Sequence, residues 1–173
     1  NSGAEILESR SPSGVISTLK WGAKNKIMYG FSSALSPGQV VYHDLGSDEK
    51  LYWMKTDLSG IKPDHLSIPV REEMRSADGS KLDAWIYRPG QIVNGRFLAT
   101  TPIRPFPVVI LFHGGPESQF RPRFMGKYNY LISEEKIVMI CPNVRGSRGY
   151  GKKYLKADNG REREKVLLDI EQI

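Results

Sequence analysis

The run His113-Gly114-Gly115-Pro116 carries the sharpest chemical signal in the chain, and it directly follows the apolar segment 107–112. Two successive glycines allow the backbone to turn with its N–H groups facing outward and no side chain in the way. Amides placed in this way can donate hydrogen bonds to the oxyanion that develops during acyl transfer. The same spacing also fits a plain strand-to-helix turn, in which glycine serves geometry alone. The run therefore predicts either an oxyanion-binding loop or a simple turn.

The sequence offers this loop no recognisable partner for nucleophilic catalysis. His113 does not fit the role of general base, because α/β-hydrolases place that histidine far downstream, after the serine and the acid. We expect His113 to fix the loop or to line the site. No Gly-x-Ser-x-Gly pattern occurs, and the nearest candidate, Ser147, stands in Arg-Gly-Ser-Arg-Gly, several residues after a predicted strand. The sequence therefore contains neither a recognisable nucleophile nor a base.

A second glycine-rich segment, residues 143–153, comes close to a phosphate-binding loop. Gly146, Gly151 and Lys152 match that pattern, but Lys153 stands where a serine or threonine would hold magnesium. A dinucleotide-binding fingerprint fails as well, because its third glycine is missing. A tight surface loop is therefore the favoured interpretation, and nucleotide binding is the alternative.

The charge balance does not identify a partner. The 173 residues carry a formal net charge of +6, which permits a nucleic-acid partner. The basic residues are scattered, however, and only those in the second glycine-rich segment stand among glycines. We interpret the excess as solvated surface plus local loop chemistry, in which Arg145 and Arg148 bind carboxylates or brace the loop. No nucleic-acid partner is expected.

The first third of the chain predicts short strands without helical periodicity. Turn residues recur at short intervals, which is typical of a β-sandwich or a propeller blade. Residues 59–69, with two prolines and a glycine, predict a connector. The predicted strands are 14–21, 26–32, 39–44 and 51–56, with a hairpin turn at 45–50.

The remainder predicts alternating strands and helices. Two strands flank the hairpin signal Asp78-Gly79, and the later apolar runs predict strands that are buried on both faces. This order predicts an α/β fold with a mainly parallel sheet and a right-handed crossover. The predicted strands are 72–76, 81–88, 107–112 and 137–141, the predicted helices are 124–135 and 161–173, and 90–106 is predicted to be irregular.

Two further features limit the class of protein. No segment is apolar over the length of a membrane span, so no membrane partner is expected. The single cysteine, Cys141, excludes an internal disulfide and any multi-cysteine metal site. It leaves the compartment undetermined, with a slight preference for the cytoplasm.

Taken in order, these motifs resemble the prolyl oligopeptidase family of serine peptidases, especially its acylaminoacyl-peptidase and dipeptidyl-peptidase-like branches. The similarity runs from Asp78-Gly79 to the end of the chain. No single motif is specific, but the ordered set is. It comprises Trp85–Pro89, Pro107–Pro116, Pro142–Gly151 and Leu168–Ile170.

The resemblance implies an α/β fold in which the N-terminal part of an α/β-hydrolase domain is preceded by the last blade or blades of a β-propeller. Residues 1–66 would end the propeller, and residues 67–173 would begin the peptidase domain. The serine, aspartate and histidine of the triad would lie beyond Ile173. The chain is thus expected to be an internal fragment that is inactive alone.

The resemblance also implies a site and a substrate. The amides of Gly114 and Gly115 would form part of the oxyanion hole, and His113 stands where related branches have a tyrosine. The substrate would be a short peptide, cleaved through an acyl-enzyme without a metal or another cofactor, and a homo-oligomer is compatible with the family. The residues expected to line the cleft are His113, Pro116, Arg145, Gly146, Ser147 and Tyr150.

Two other functions stay open at this point. The same fold could hydrolyse esters rather than peptides, and the chain could be a non-catalytic binding or structural module. The sequence does not distinguish endopeptidase, dipeptidyl-peptidase and acylaminoacyl-peptidase activity.

Overall fold

A computed structural model of the chain describes residues 13–54, 56–115 and 117–173. Pro116, one of the predicted cleft residues, lies outside the described residues, as does Lys55 within the predicted strand 51–56. Over the described ranges, no helix is both long and apolar enough to cross a membrane.

The chain forms two compact units. The first extends to Pro63 and includes Pro122–Gly126, and the second consists of Asp64–Arg121 and Lys127–Ile173.

The first unit contains a four-stranded antiparallel meander in which each strand pairs with the next along the chain. Tyr29, Phe31 and Val41 form its buried core, because the pleat directs these side chains of β2 and β3 to one side. The strands predicted in the first third and the hairpin turn are confirmed. The strands are β1 (Val15–Trp21), β2 (Lys26–Ser33), β3 (Ser36–Asp44) and β4 (Glu49–Met54).

The second unit is built on a four-stranded mixed sheet with strand order β5-β6-β10-β9. The prediction of a mainly parallel sheet is wrong, because only β9 and β10 run parallel. The tight Asp78-Gly79 turn makes β5 and β6 a hairpin, whereas a parallel pair needs a longer connection, here containing a helix. The strands are β5 (Val70–Arg75), β6 (Lys81–Tyr87), β9 (Val108–Ile110) and β10 (Val138–Asn143).

The segment predicted to be irregular contains a hairpin of its own. Strands β7 (Gly90–Val93) and β8 (Arg96–Ala99) pair across Asn94 and Gly95. Both turn residues have positive φ, 49° and 74°, which is the conformation that Asn-Gly favours between paired strands. The dipeptide was therefore an available sequence signal for this hairpin.

The two parallel strands differ in burial. Met139, Cys141 and Asn143, on one face of β10, are fully buried, whereas Val138 and Ile140 on the other face are half-buried. The predicted burial on both faces is therefore confirmed fully for one face only. All three residues of β9 are 37–53% exposed, so the predicted burial of that strand on both faces is wrong. Among the described residues β9 pairs with β10 alone and lies at the edge of the sheet.

The helices are shorter than predicted. Helix α1 (Tyr128–Ser133) lies between β9 and β10, and α2 (Lys152–Leu155) was not predicted. The predicted helix 161–173 consists of a 3₁₀ segment, Gly160–Lys165, followed by α3 (Val166–Ile170). The predicted apolar stripe of α3 is largely exposed, and its buried residue is instead Asp169. A further 3₁₀ turn spans Pro63–His65.

Candidate active site

The two glycine-rich loops meet at one edge of the mixed sheet. Because β9 and β10 are adjacent and parallel, the residues that follow each strand emerge at the same edge. Nε2 of His113, after β9, lies 2.9 Å from Oγ of Ser147, after β10. The Ser147 hydroxyl donates to the carbonyl oxygen of Val144 at 2.6 Å. It therefore accepts from His113, and this places a proton on Nε2.

The turn formed by Gly114 and Gly115 is open. Both glycines are exposed, and Gly115 has φ +75°, a conformation that favours glycine. A methyl group added to either residue would meet nothing within 4 Å. Within the described part of the chain, neither amide nitrogen has a hydrogen-bond acceptor. These N–H groups can therefore donate to a ligand that enters the open space.

Asn143 ties the segment after this turn to the end of β10. Its buried side chain accepts from the Phe120 amide at 2.7 Å and donates to the Phe120 carbonyl at 3.0 Å. The same amide group donates to the Tyr150 hydroxyl at 2.9 Å. Because one buried side chain serves both loops, its hydrogen bonds hold the two loops at a fixed relative position.

Arg148 adds two hydrogen bonds between the same loops. Its backbone N–H donates to the carbonyl of Ser118 at 3.0 Å, and its Nε donates to the carbonyl of Glu117 at 2.7 Å. The side chain as a whole is exposed.

Tyr150, in the second loop, packs against Tyr154 of α2. The rings of Tyr150 and Tyr154 are 5.2 Å apart between centroids, and the Tyr154 hydroxyl donates to the carbonyl of Asn143 at 2.6 Å. Burial raises the pKa of both phenols above the ordinary value. Both hydroxyls therefore stay protonated at neutral pH.

The side chain of Arg145 is buried in an ion-pair network. Its Nε lies 3.0 Å from a carboxylate oxygen of Asp169, Nη1 lies 2.8 Å from Asp78, and Nη2 lies 2.9 Å from the hydroxyl of Ser76. The Arg145 amide also donates to Asp169 at 2.8 Å. The network joins the β5–β6 turn, the second loop and α3, which confirms the predicted carboxylate binding by Arg145.

The charges in this network shift two pKa values in opposite directions, and each shift favours the charged form. Hydrogen bonding to Asp169 is the main cause that raises the pKa of Arg145. The hydrogen bond from Arg145 is the main cause that lowers the pKa of Asp78 well below its usual range. Both groups are therefore charged at neutral pH.

Gly146 is needed for close packing. It has φ +89°, and a methyl group here would lie only 2.4 Å from a carboxylate oxygen of Asp158. Its amide donates to the carbonyl of Tyr154 at 3.0 Å. Any side chain at this position would therefore displace Asp158 or the loop.

The residues predicted to line the cleft differ in burial. His113 and Tyr150 are half-buried, whereas Arg145, Gly146 and Ser147 are buried. Sequence reasoning did not select Asn143, Tyr154 or Asp169 as site residues. A polar residue that ends an apolar strand, as Asn143 does, was the one signal that could have identified part of this set.

Comparison with known proteins identifies the family. The chain is 26% identical over 136 residues to the uncharacterized peptidase YuxL of Bacillus subtilis (strain 168), which covers 79% of this chain and 19% of the relative. It is 30% identical over 172 residues to dipeptidyl aminopeptidase BIII of Pseudoxanthomonas mexicana, covering 96% of this chain and 24% of the relative. The chain spans about a fifth to a quarter of the length of these relatives. No family model matches it.

Solved structures share the fold. A puromycin hydrolase matches with TM-score 0.70 and 24% identity, over 88% of this chain and 23% of its own. A structure from a study of two prolyl endopeptidases matches with TM-score 0.74 and 19% identity, over 94% of this chain and 23% of its own. An acylaminoacyl peptidase of Pyrococcus horikoshii matches with TM-score 0.67 and 19% identity, over 98% of this chain and 26% of its own.

The homologues and structural neighbours of this chain are peptidases of the prolyl oligopeptidase family. The resemblance inferred from the ordered motifs is therefore confirmed, and so is the α/β class.

Proposed function

We propose that this chain belongs to a serine peptidase that hydrolyses short peptides through an acyl-enzyme. In this proposal residues 1–66 end a β-propeller, and residues 67–173 form the N-terminal part of an α/β-hydrolase domain. The nucleophile, acid and base would follow Ile173. Support comes from the relatives, which are named peptidases and are about four times as long as this chain.

One observation carries the proposal: the amides of Gly114 and Gly115 are exposed and lack acceptors within the described residues. In acyl transfer the attacked carbonyl oxygen becomes negatively charged, and amides already aimed at it stabilise that charge without reorganisation. The His113–Ser147 hydrogen bond fixes the start of this turn. His113 is then a positioning residue, while proton transfer belongs to a histidine further along the chain.

The proposed reaction has two stages. A serine hydroxyl attacks the peptide carbonyl, and its proton passes through the base to the leaving amine. Water then hydrolyses the acyl-enzyme and restores the serine. The open turn would bind the oxyanion in both stages, and this requires no metal or organic cofactor.

The test uses the full-length protein with matched peptide-amide and ester substrates. We expect the peptide to be hydrolysed and Gly114→Ala to lower kcat/KM by at least about tenfold. The variant keeps the backbone N–H, but its methyl group would intrude where the carbonyl oxygen must enter, and full loss of one oxyanion donor costs about 10²–10³. Gly38→Ala is the matched control, since a methyl group there also meets nothing within 4 Å. It should leave kcat/KM unchanged.

Three other results would each contradict a part of the proposal. Hydrolysis of the ester alone would indicate an esterase on this fold. Absence of any hydrolysis, together with no labelling by a serine-reactive fluorophosphonate, would support a non-catalytic module. Equal kcat/KM values for Gly114→Ala and the parent would remove the turn from the oxyanion hole.

A further inference from the structure

Two arginines of the second loop have opposite environments. All three guanidinium nitrogens of Arg145 have protein acceptors. Arg148 is exposed, and only its Nε has one, the Glu117 carbonyl at 2.7 Å. Among the described residues no carboxylate pairs with Arg148, and its Nη1 and Nη2 have no hydrogen-bond partner. The outer edge of its guanidinium is therefore available to a ligand.

The backbone of the loop fixes this guanidinium in place. The Arg148 amide donates to the Ser118 carbonyl while Nε donates to Glu117, so residue 148 is held at both ends of its side chain. The planar group is thus oriented before a ligand arrives, which reduces the entropy lost on binding. Two terminal N–H₂ groups in one plane match the two oxygens of a carboxylate.

The residue that holds the guanidinium is close to the open turn. Glu117, whose carbonyl accepts from Nε of Arg148, is two residues after Gly115, so the Cα atoms of these two residues are roughly 7 Å or less apart. An extended peptide advances about 3.4 Å per residue. A group bound by Arg148 would therefore lie two or three residues from a carbonyl held at the turn. The exposed Lys152 and Lys153 begin α2 directly after this loop and add positive potential.

We propose that Arg148 is a specificity-determining residue that binds a carboxylate of the peptide substrate two or three residues from the scissile bond. The carboxylate is either the free C-terminus or the side chain of an acidic residue, which share the same chemistry. This inference rests on the proposed peptidase function and adds a substrate class to it.

The experiment compares kcat/KM for paired peptides cleaved by the full-length protein. In one pair, one peptide ends in a free carboxylate and the other ends in an amide. In the other pair, one peptide has Glu and the other has Gln at a position two or three residues from the cleaved bond. We expect the parent to prefer the carboxylate member of at least one pair by roughly tenfold at low salt, a ratio equivalent to one well-formed charged hydrogen-bond pair.

Arg148→Gln should abolish this preference, so that the kcat/KM ratio of the pair falls to about 1. Arg148→Lys keeps the positive charge but lacks the two coplanar N–H₂ groups, and it should give an intermediate ratio. Arg161→Gln is the matched control, because it removes the same charge from an exposed arginine outside both loops and should keep the full preference. Raising the salt concentration should lower the preference in the parent. Thermal unfolding of each variant checks that it is folded.

The outcomes separate this inference from the proposed function. If Arg148→Gln loses the preference only in the pair that differs at the C-terminus, the C-terminal carboxylate is the bound group. If it loses the preference only in the Glu/Gln pair, the bound group is an acidic side chain. The inference is overturned if the parent enzyme cleaves both members of each pair equally well, or if Arg148→Gln keeps the parent's preference. Either result leaves the peptidase proposal intact. Failure to cleave any peptide of either pair overturns the peptidase proposal itself.

Discussion

The turn at 113–115 and the loop at 143–149 are both rich in glycine and emerge from neighbouring strands at one edge of a sheet, yet they use glycine differently. Gly114 and Gly115 stand in open space, where added methyl groups would touch nothing within 4 Å. Gly146 faces the Asp158 carboxylate so closely that no Cβ fits. In the first loop glycine gives access to the backbone, and in the second it allows close packing.

The contrast extends to the polar groups. The amides of the first turn lack acceptors within the described residues, whereas buried polar atoms of the second loop are satisfied through Asn143, Tyr154 and Asp169. Buried polar networks of this kind lose much free energy when one member is removed. Substitutions of buried residues in the second loop should therefore change stability, and substitutions in the first should change the proposed chemistry.

The largest stability effect is expected at the buried guanidinium. Arg145 and Asp169 are only 6% and 1% exposed, so Arg145→Met leaves a buried carboxylate without its partner. We expect it to lower the free energy of unfolding by about 3–5 kcal/mol, measured by urea denaturation of the full-length protein.

Arg71→Met is the matched control for this measurement. Arg71 also binds a carboxylate through two nitrogens, at 3.0 and 2.6 Å from Asp83, but its side chain is 56% exposed. Its loss should cost about 1 kcal/mol or less. Equal costs for the two substitutions would contradict the scaffold role that we assign to the second loop.

A smaller effect is expected from the glycines of the second loop. Gly146 and Gly151 have the same φ of +89°, but only Gly146 lacks space for a methyl group. Both alanine substitutions share the strain of positive φ, about 1–2 kcal/mol. Gly146→Ala should cost about 1–3 kcal/mol more, because overpacking is added. The difference between the two unfolding free energies isolates that cost, and a difference near zero would mean that Asp158 moves aside freely.

Much of this arrangement could be predicted because it depends on local patterns. The four strands of the meander, the Asp78-Gly79 hairpin, the buried strand β10 and the two glycine loops all follow from turn residues and apolar runs that are short in sequence. The Asn94-Gly95 hairpin carried the same kind of signal. Convergence of the loops follows from the parallel pairing of β9 and β10.

The failures have a common physical cause, since burial is decided by tertiary neighbours. The apolar composition of β9 predicted enclosure, but a strand at the edge of a sheet is covered only where something packs on it. Periodicity in α3 selected Leu167 and Ile170, yet Arg145 requires a charged partner, so Asp169 is the buried residue. No pattern local to either segment reveals an ion pair between residues 24 positions apart.

The smallest effect is expected at the outer end of the Arg145 network, where Asp78 is 34% exposed against 1% for Asp169. Hydrogen bonds from Arg145 and from the Ser80 amide lower the pKa of Asp78, so the folded state favours the carboxylate. This stabilisation is complete above the ordinary pKa of about 4 and is lost as pH falls through the lower folded-state pKa.

Asp78→Asn should therefore lower the free energy of unfolding by up to about 1 kcal/mol at pH 7. The gap in unfolding free energy between the variant and the parent should narrow below about pH 4. Urea denaturation between pH 7 and pH 3 measures the gap, with Asp64→Asn as the control for loss of a surface charge. A gap that stays constant over that range would mean that Arg145 is held by Asp169 alone.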